Sequence, residues 1–326
     1  MQKIFLTESI HPDGVARLKE RFEVVQGSSL DPLIIAQEAK DCVGMLIRSA
    51  KITATLMDQL PSLKVIAKHG MGVDNIDVNR ATQKGILVVN APFSNLNAVA
   101  EHIVMLLLAL SKRTVQMDGL MRAGKFEMRN FYQTTELKGS TVGVIGMGKI
   151  ARMVVKKLEN FELNLIAHDP FVQQRDVNKL AVRMTTAEEV YRMSDFVIVH
   201  TALTPATHHL VGAEQFRQMK STARIINASR GAILDEQALI EALRAGTIAG
   251  AGLDVFEQEP PDQNNPLFSM EQVIVSPHNA ALSDGALRAM ALDSARGIIE
   301  YLNGEPVSYS VNPEVWKKTA SKERQV

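Results

Sequence analysis

The chain has 326 residues, 46% of them hydrophobic and 22% charged, an ordinary globular composition too long for one core, so two domains are expected. Lys plus Arg equals Asp plus Glu at 36 each, so no net charge draws the chain to nucleic acid or to an anionic membrane. The single cysteine, Cys42, excludes an internal disulfide and fits a reducing compartment.

In chain order, the N-terminal "MQKIFLTESI" lacks the apolar core of a signal peptide. "KIFLTE" reads as a strand, "PDGVARLKERF" as a helix and "FEVVQG" as a strand. "GMLIRS", "LKVIAKHG" and "ILVVNAP" follow as strands. In "DCVGMLI", Cys42 reads as a buried inert thiol. Continuous apolar runs separated by helices predict a parallel sheet with covered faces. Residues 98–121 predict one long helix, apolar nearly all round in its middle and so buried by the core or by a second subunit. Its greasy stretch, "IVMLLLAL", falls short of the roughly 18 residues of a membrane span. The protein is therefore expected to be cytoplasmic, with no membrane partner.

After a mixed loop at "FEMRNFYQTTEL", a second series begins. Its apolar runs are "TVGVIG", "LNLIAHD", "DFVIVHT", "ARIINAS", "AGAGLDVF" and "QVIVSPH". Six strands with helical crossovers predict a doubly wound sheet. A helix at 284–302 and a charged tail, "SKERQV", expected to fray, complete the chain. The layout expected is a cofactor domain at 98–283 inserted into a discontinuous outer domain, 1–97 plus 284–326.

"TVGVIGMGKIA" runs a strand into Gly146, Met147 and Gly148, then opens a helix at Lys149 and Ile150. Glycines here let a pyrophosphate approach amide N–H groups at a helix start, and Ala151 at the third position still permits close packing. Asp169 ends the next strand, about 20 residues on, where a carboxylate accepts from ribose hydroxyls and repels a 2′-phosphate; NAD is therefore expected. The other two G-x-G triplets, at Gly70 and Gly250, lack that context.

Ligands of open α/β sheets bind at strand carboxyl ends. Here those ends are Gly146, Asp169, His200–Thr201, Asn227–Arg230, Asp254 and His278. Three groups on this rim suit chemistry. Arg230, in "INASRG", is a fixed cation that can fork onto a carboxylate. Glu259 precedes Pro260, and His278 lies in "SPHNAA". A carboxylate beside an imidazole favours its protonated form and fixes its orientation, which suits His278 as a proton donor. Taken singly, each has a structural alternative; Arg230 could pair with Asp235. His69 could line a cleft, while His11, His102 and His168 read as structural or exposed. Adjacent His208 and His209 are expected to point apart. With no CxxC, HExxH or P-loop spacing, neither a metal nor NTP hydrolysis is expected.

Over nearly its whole length the chain resembles the D-isomer-specific 2-hydroxyacid dehydrogenases. The motifs are "GMGVDNID", "NAPFSNLNAVAEH", "TVGVIGMGKIA", "HDP", "INASRGAILDE", "GAGLDVFEQEP" and "SPHNA", nearest to the phosphoglycerate dehydrogenase and hydroxypyruvate/glyoxylate reductase branch. The resemblance implies an α/β fold of two doubly wound parallel-sheet domains, a Rossmann domain inserted into a flavodoxin-like substrate domain. It implies Arg230, Glu259 and His278 as catalytic triad. Gly146, Gly148, Lys149, Ile150, Asp169, His200, Thr201, Asn227, Ala228 and Asp254 would contact NAD. Met71, Gly72 and Val73 would offer amides to the substrate carboxylate, with Arg48 and Ser49 facing the rest of the substrate. A homodimer through the 98–121 helix is implied too.

Phe126 stands where the family often has tryptophan, which touches substrate choice. The sequence stops at Val326, so the C-terminal regulatory domain of some phosphoglycerate dehydrogenases, with its serine feedback, is not expected. The implied reaction is NAD-dependent interconversion of a D-2-hydroxy acid and its 2-oxo acid, 3-phosphoglycerate first and glyoxylate or hydroxypyruvate as the alternative. Formate dehydrogenases carry glutamine where Glu259 stands, which argues against formate. Phosphite oxidation and an NADH-sensing corepressor-like binding protein are the remaining rivals.

Overall fold

The computed structural model describes residues 1–317. The predicted tail "SKERQV" lies outside the described residues. The elements run β1 (Lys3–Leu6), α1 (Pro12–Lys19), β2 (Glu23–Gln26), α2 (Pro32–Glu38), β3 (Gly44–Ile47), α3 (Ala54–Asp58), β4 (Val65–Lys68), α4 (Val78–Gln83) and β5 (Leu87–Val89). They continue with α5 (Leu96–Lys112), α6 (Thr114–Arg122), β6 (Thr141–Ile145), α7 (Lys149–Leu158), β7 (Asn164–His168), β8 (Arg183–Met184), α8 (Ala187–Met193), β9 (Phe196–Val199) and α9 (Ala213–Gln218). Last come β10 (Arg224–Asn227), α10 (Glu236–Arg244), β11 (Gly250–Leu253), β12 (Val273–Val275) and α11 (Asp284–Leu302). The chain forms two compact units, Met1–Asn95 with Leu282–Val326, and Leu96–Ala281.

In the first unit five parallel strands run in the order β2-β1-β3-β4-β5, the flavodoxin-like order. Strands β3, β4 and β5 are apolar because both faces are covered; one face packs Met45, Ile47, Ile66 and Val88, the other Ile4, Leu46, Val65 and Leu87 with Ile298 of α11. Helix α1 approaches α11 so closely that a Cβ on Gly14 would sit 2.7 Å from the Ala291 Cβ, which explains a glycine inside a helix. Side chains of Asp31, Thr53, Asp77 and Ser283 cap α2, α3, α4 and α11.

The second unit is a seven-stranded parallel sheet, β12-β11-β10-β9-β6-β7-β8. The strand order reverses beside β6, so a crevice opens at the carboxyl ends of β6 and β9. The sequence missed β8, since two partly exposed residues carry no apolar run. The single helix expected over 98–121 is instead two helices. Arg113 adopts a left-handed conformation, φ 50°, between α5 and α6. The carbonyl freed there at Ser111 accepts the amide of Thr135, while Lys112 Nζ and Arg113 Nε donate to the carbonyls of Thr135 and Gln133. Burial is also one-sided: Leu106 and Leu107 are buried, but Met105 is exposed and α6 buries nothing. Among the described residues no helix is long and apolar enough to cross a membrane.

Candidate active site

The glycine turn sits where β6 meets α7. Gly146 has φ 92°, and a Cβ there would lie 2.5 Å from the His200 carbonyl oxygen and 3.2 Å from Thr201 Cβ. The turn is thus pressed onto the end of β9, bringing Gly146, His200 and Thr201 together. Gly148 differs: a Cβ added there meets nothing within 4 Å. Gly148 precedes α7, and no side chain caps that helix. The open space, the uncapped N–H groups and the positive end of the helix suit a pyrophosphate, so these residues fit a dinucleotide. The glycines at 250 and 252 have packing reasons instead; their Cβ atoms would meet the Gln272 oxygen at 2.6 Å and Leu110 at 3.1 Å.

Asp169 follows β7. Its Oδ2 accepts the Met147 amide at 2.8 Å and its Oδ1 the Phe171 amide at 2.8 Å. A carboxylate has about four acceptor sites, so two remain for a diol. The His200 imidazole is pushed down to about 4 by burial and, secondarily, by the charge of Arg230, so it is neutral at pH 7.

At the end of β10, buried Asn227 shapes the turn that carries Arg230. Its Nδ2 donates to the Arg230 carbonyl at 2.9 Å, and its Oδ1 accepts from Ser229 N at 3.0 Å and Ser229 Oγ at 2.8 Å. Here Asn227 is a backbone organiser, and Ala228 is buried beside it. Arg230 Nη1 donates to the Ser229 carbonyl at 2.8 Å. The alternative partner, Asp235, caps α10 through the Ala238 amide. Glycine follows the arginine because a Cβ on Gly231 would lie 1.9 Å from the Phe256 carbonyl carbon.

His278 Nδ1 lies 2.7 Å from Glu259 Oε2, while Glu259 Oε1 accepts the Phe256 amide at 3.1 Å. Burial pushes the Glu259 carboxyl up, but the His278 hydrogen bond and charge, the Phe256 amide and the charge of Arg230 outweigh it and hold the group below the usual carboxylate range. That leaves an ionised partner at Nδ1 of a half-exposed ring. His278 adopts φ 49°, an uncommon conformation for a side-chain-bearing residue. Its amide is tied to the carbonyls of Asp254 at 2.8 Å and Ser276 at 3.1 Å. The fully buried Asp254 carboxylate accepts from Ser276 Oγ at 2.6 Å, Asn279 N at 2.9 Å and Ala280 N at 2.9 Å. His102 Nε2, on α5, reaches Ser276 Oγ at 3.0 Å. His102, read from the sequence as structural or exposed, holds a structural place through Ser276; Ser276 itself was missed, its one signal being its place two residues before His278.

The first unit has a rim of its own. Glu8, just past β1, accepts from the Ser49 amide at 2.6 Å and the Arg48 amide at 3.0 Å, and bonds the Thr7 hydroxyl. Applying the strand-end rule to this unit would have found it. Lys68 Nζ bonds the Arg48 carbonyl and Asn75 Oδ1, the latter at 2.9 Å. Gly70, at φ 139°, opens the turn through Met71, Gly72 and Val73. Among the described residues of this unit those three amides meet no protein acceptor, as an anion nest requires. The neighbouring His69 is buried, its Nε2 has no partner, and burial followed by the charge of Arg48 pushes it down to about 4.

Residues 104–280 match the D-isomer specific 2-hydroxyacid dehydrogenase, NAD binding domain. A glyoxylate reductase of Thermofilum pendens is 39% identical over 97% of this chain and 96% of its own length. The chain belongs to the D-isomer specific 2-hydroxyacid dehydrogenase family. Unit 2 is thus this family's NAD-binding domain. A D-3-phosphoglycerate dehydrogenase of Methanocaldococcus jannaschii is 38% identical over 96% of the chain, which spans 60% of that relative's length. Among solved structures, an NADPH-dependent glyoxylate/hydroxypyruvate reductase from Sinorhizobium meliloti, in complex with NADP and malonate, superposes with a TM-score of 0.86 at 30% identity, covering 95% of this chain and 96% of that one. The TT0316 protein from Thermus thermophilus gives 0.87 at 30% identity, covering 95% and 100%.

Proposed function

We propose that this dehydrogenase interconverts a D-2-hydroxy acid and its 2-oxo acid with NAD, 3-phosphoglycerate and phosphohydroxypyruvate being the first substrate pair to test. The observation that carries the reading is the 2.7 Å pair of His278 and Glu259 on the Arg230 rim of an NAD-binding sheet. Bound NADH supplies the hydride for reduction. Arg230 meets the substrate carboxylate and polarises the carbonyl oxygen, where negative charge develops. His278 gives the Nε2 proton to that oxygen, and Glu259 keeps the ring oriented and charged. In the reverse direction the neutral ring takes the hydroxyl proton. The amides of Met71, Gly72 and Val73 and the Arg48–Ser49 loop are the substrate groups proposed for the first unit. Asp169 disfavours a 2′-phosphate, so NADH should outperform NADPH.

A second reading, reduction of glyoxylate or hydroxypyruvate, is favoured by the glyoxylate reductase that matches over 97% of this chain and 96% of its own length. The test follows nicotinamide absorbance with NADH and NADPH against glyoxylate, hydroxypyruvate, pyruvate and phosphohydroxypyruvate. Preference for the phosphorylated acid supports the first reading, and preference for the small acids the second. No turnover of any of them sinks both.

The same proposal includes a homodimer through α5 and its neighbours. Met105, Val115, Met121, Phe126 and Phe131 are all exposed along this stretch, an apolar surface that a second copy would cover. Light scattering on the purified chain tests it; a monomer at micromolar concentration rules it out.

A further inference from the structure

His208, His209 and Glu257 lie on the surface of the second unit, and one ligand atom from each falls within 4.8 Å of the others. Consecutive side chains usually diverge. Here His209 has φ 51°, which turns the chain so that both imidazoles fall on one side, ring centroids 4.0 Å apart. The conformation is fixed by the main chain. The His209 amide donates to the Ala232 carbonyl at 2.8 Å, Leu210 N to the Thr207 carbonyl at 3.2 Å and Val211 N to the Ile233 carbonyl at 3.1 Å. The third group is equally held. Glu257 N donates to Glu236 Oε2 at 3.0 Å, and Glu257 Oε2 accepts the Glu236 amide at 3.3 Å. That leaves Oε1, which faces His209 Nε2 at 2.7 Å.

We propose that His208, His209 and Glu257 form a surface site for Zn2+, with water completing the coordination. Two imidazoles and one carboxylate suit a borderline-soft divalent ion and fall short of the oxygen ligands that Mg2+ or Ca2+ demands. Bonds of about 2.0–2.2 Å to a central ion require ligand atoms a little over 3 Å apart. The existing His209–Glu257 contact opens slightly to reach that spacing, and His208 closes inward. An ion pair alone uses only His209 and Glu257; His208, ring to ring with His209, brings a third ligand atom within 4.8 Å of the other two. The Glu236 amide holding the distal carboxylate oxygen acts as the outer-shell support typical of such ligands. The ion would clamp the loop after β9 to the segment that leads into Glu259.

The test uses the full-length, tag-free chain stripped of metal with a chelator. Equilibrium dialysis against Zn2+ and against Mg2+ is compared for wild type and for a His208→Ala/His209→Asn variant. Asparagine tolerates the left-handed conformation, so the variant keeps its backbone. Expected are one Zn2+ per wild-type chain, no Mg2+, and binding weakened by more than about tenfold in the variant, the loss that even an outer-shell change carries. Zn2+ should also raise the unfolding temperature of wild type but not of the variant. No Zn2+ on wild type, or equal binding to both proteins, overturns the proposal.

Discussion

The amide of His278 donates to the main-chain oxygen of Asp254 at 2.8 Å, and the carboxylate of that same aspartate receives the amides of Asn279 and Ala280. One buried residue thus holds the left-handed turn that aims the imidazole. Asp254→Asn places an amide NH2 against donors the carboxylate used to satisfy. Leaving a buried donor unpaired costs about 1–3 kcal/mol, so the unfolding temperature should drop and turnover fall with it. Thermal unfolding and kcat measured together check this; an unchanged pair of values contradicts it.

Removing the proposed acid–base group isolates its contribution. His278→Ala should cut reduction of the preferred 2-oxo acid by about 10²- to 10⁴-fold while NADH still binds. Glu259→Gln keeps the shape but removes the charge beside Nδ1 of the ring. Turnover should fall while NADH affinity holds. Steady-state kinetics and NADH titration measured side by side decide it, and an unchanged kcat would remove Glu259 from this role.

The two glycines of the turn should fail differently. Gly146→Ala sets a methyl against the His200 carbonyl in a left-handed position, so the second unit itself is destabilised. Gly148→Ala meets no protein atom, so the fold should survive while the methyl fills the space proposed for pyrophosphate. Calorimetry with and without NADH separates the outcomes: a lower melting temperature for the first variant, weaker NADH binding at unchanged stability for the second.

Acid should weaken the protein through two imidazoles. His69 and His200 each titrate at about 4 in the folded chain instead of the usual 6.5. Between those values the unfolded chain binds more protons, so stability falls as pH drops from 6.5 toward 4. Urea midpoints at pH 7 and pH 5 measure the loss. His69→Gln should flatten that slope, and an unchanged slope would mean that His69 does not supply it.

Much of this was legible in the chain. Four of the first unit's five strands are mostly apolar runs, β2 having only Val24 and Val25, and α11 was bounded at 284–302, where Ser283 caps its start. The strand-end rule pointed to Arg230 and His278, because the carboxyl edge of a parallel sheet is where polar residues interrupt apolar ones, while Glu259 was read from the turn before Pro260 and from the family resemblance. The rest depended on the sign of single φ angles. Arg113 breaks a helix whose composition favours continuation, and His209 swings beside His208 where alternation predicts divergence. Neither residue is a glycine, so nothing in the letters marked the turn. The couplings of Ser276 to Asp254 and of Glu8 to Arg48 and Ser49 join residues distant in sequence, visible only once strands are laid side by side.

The close approach of Gly14 to Ala291 sets an order of events during synthesis. Helix α11 covers the face of the first sheet formed by Ile4, Leu46 and Val65, yet among the described residues it is the last long helix to be made. At about 5–20 residues per second, its residues leave the ribosome roughly 15–60 s after β1. Unit 2 is contiguous and has every strand it needs before α11 exists. The segment translated first therefore completes its core last, and during that interval its bare apolar strands are what a holding chaperone would meet.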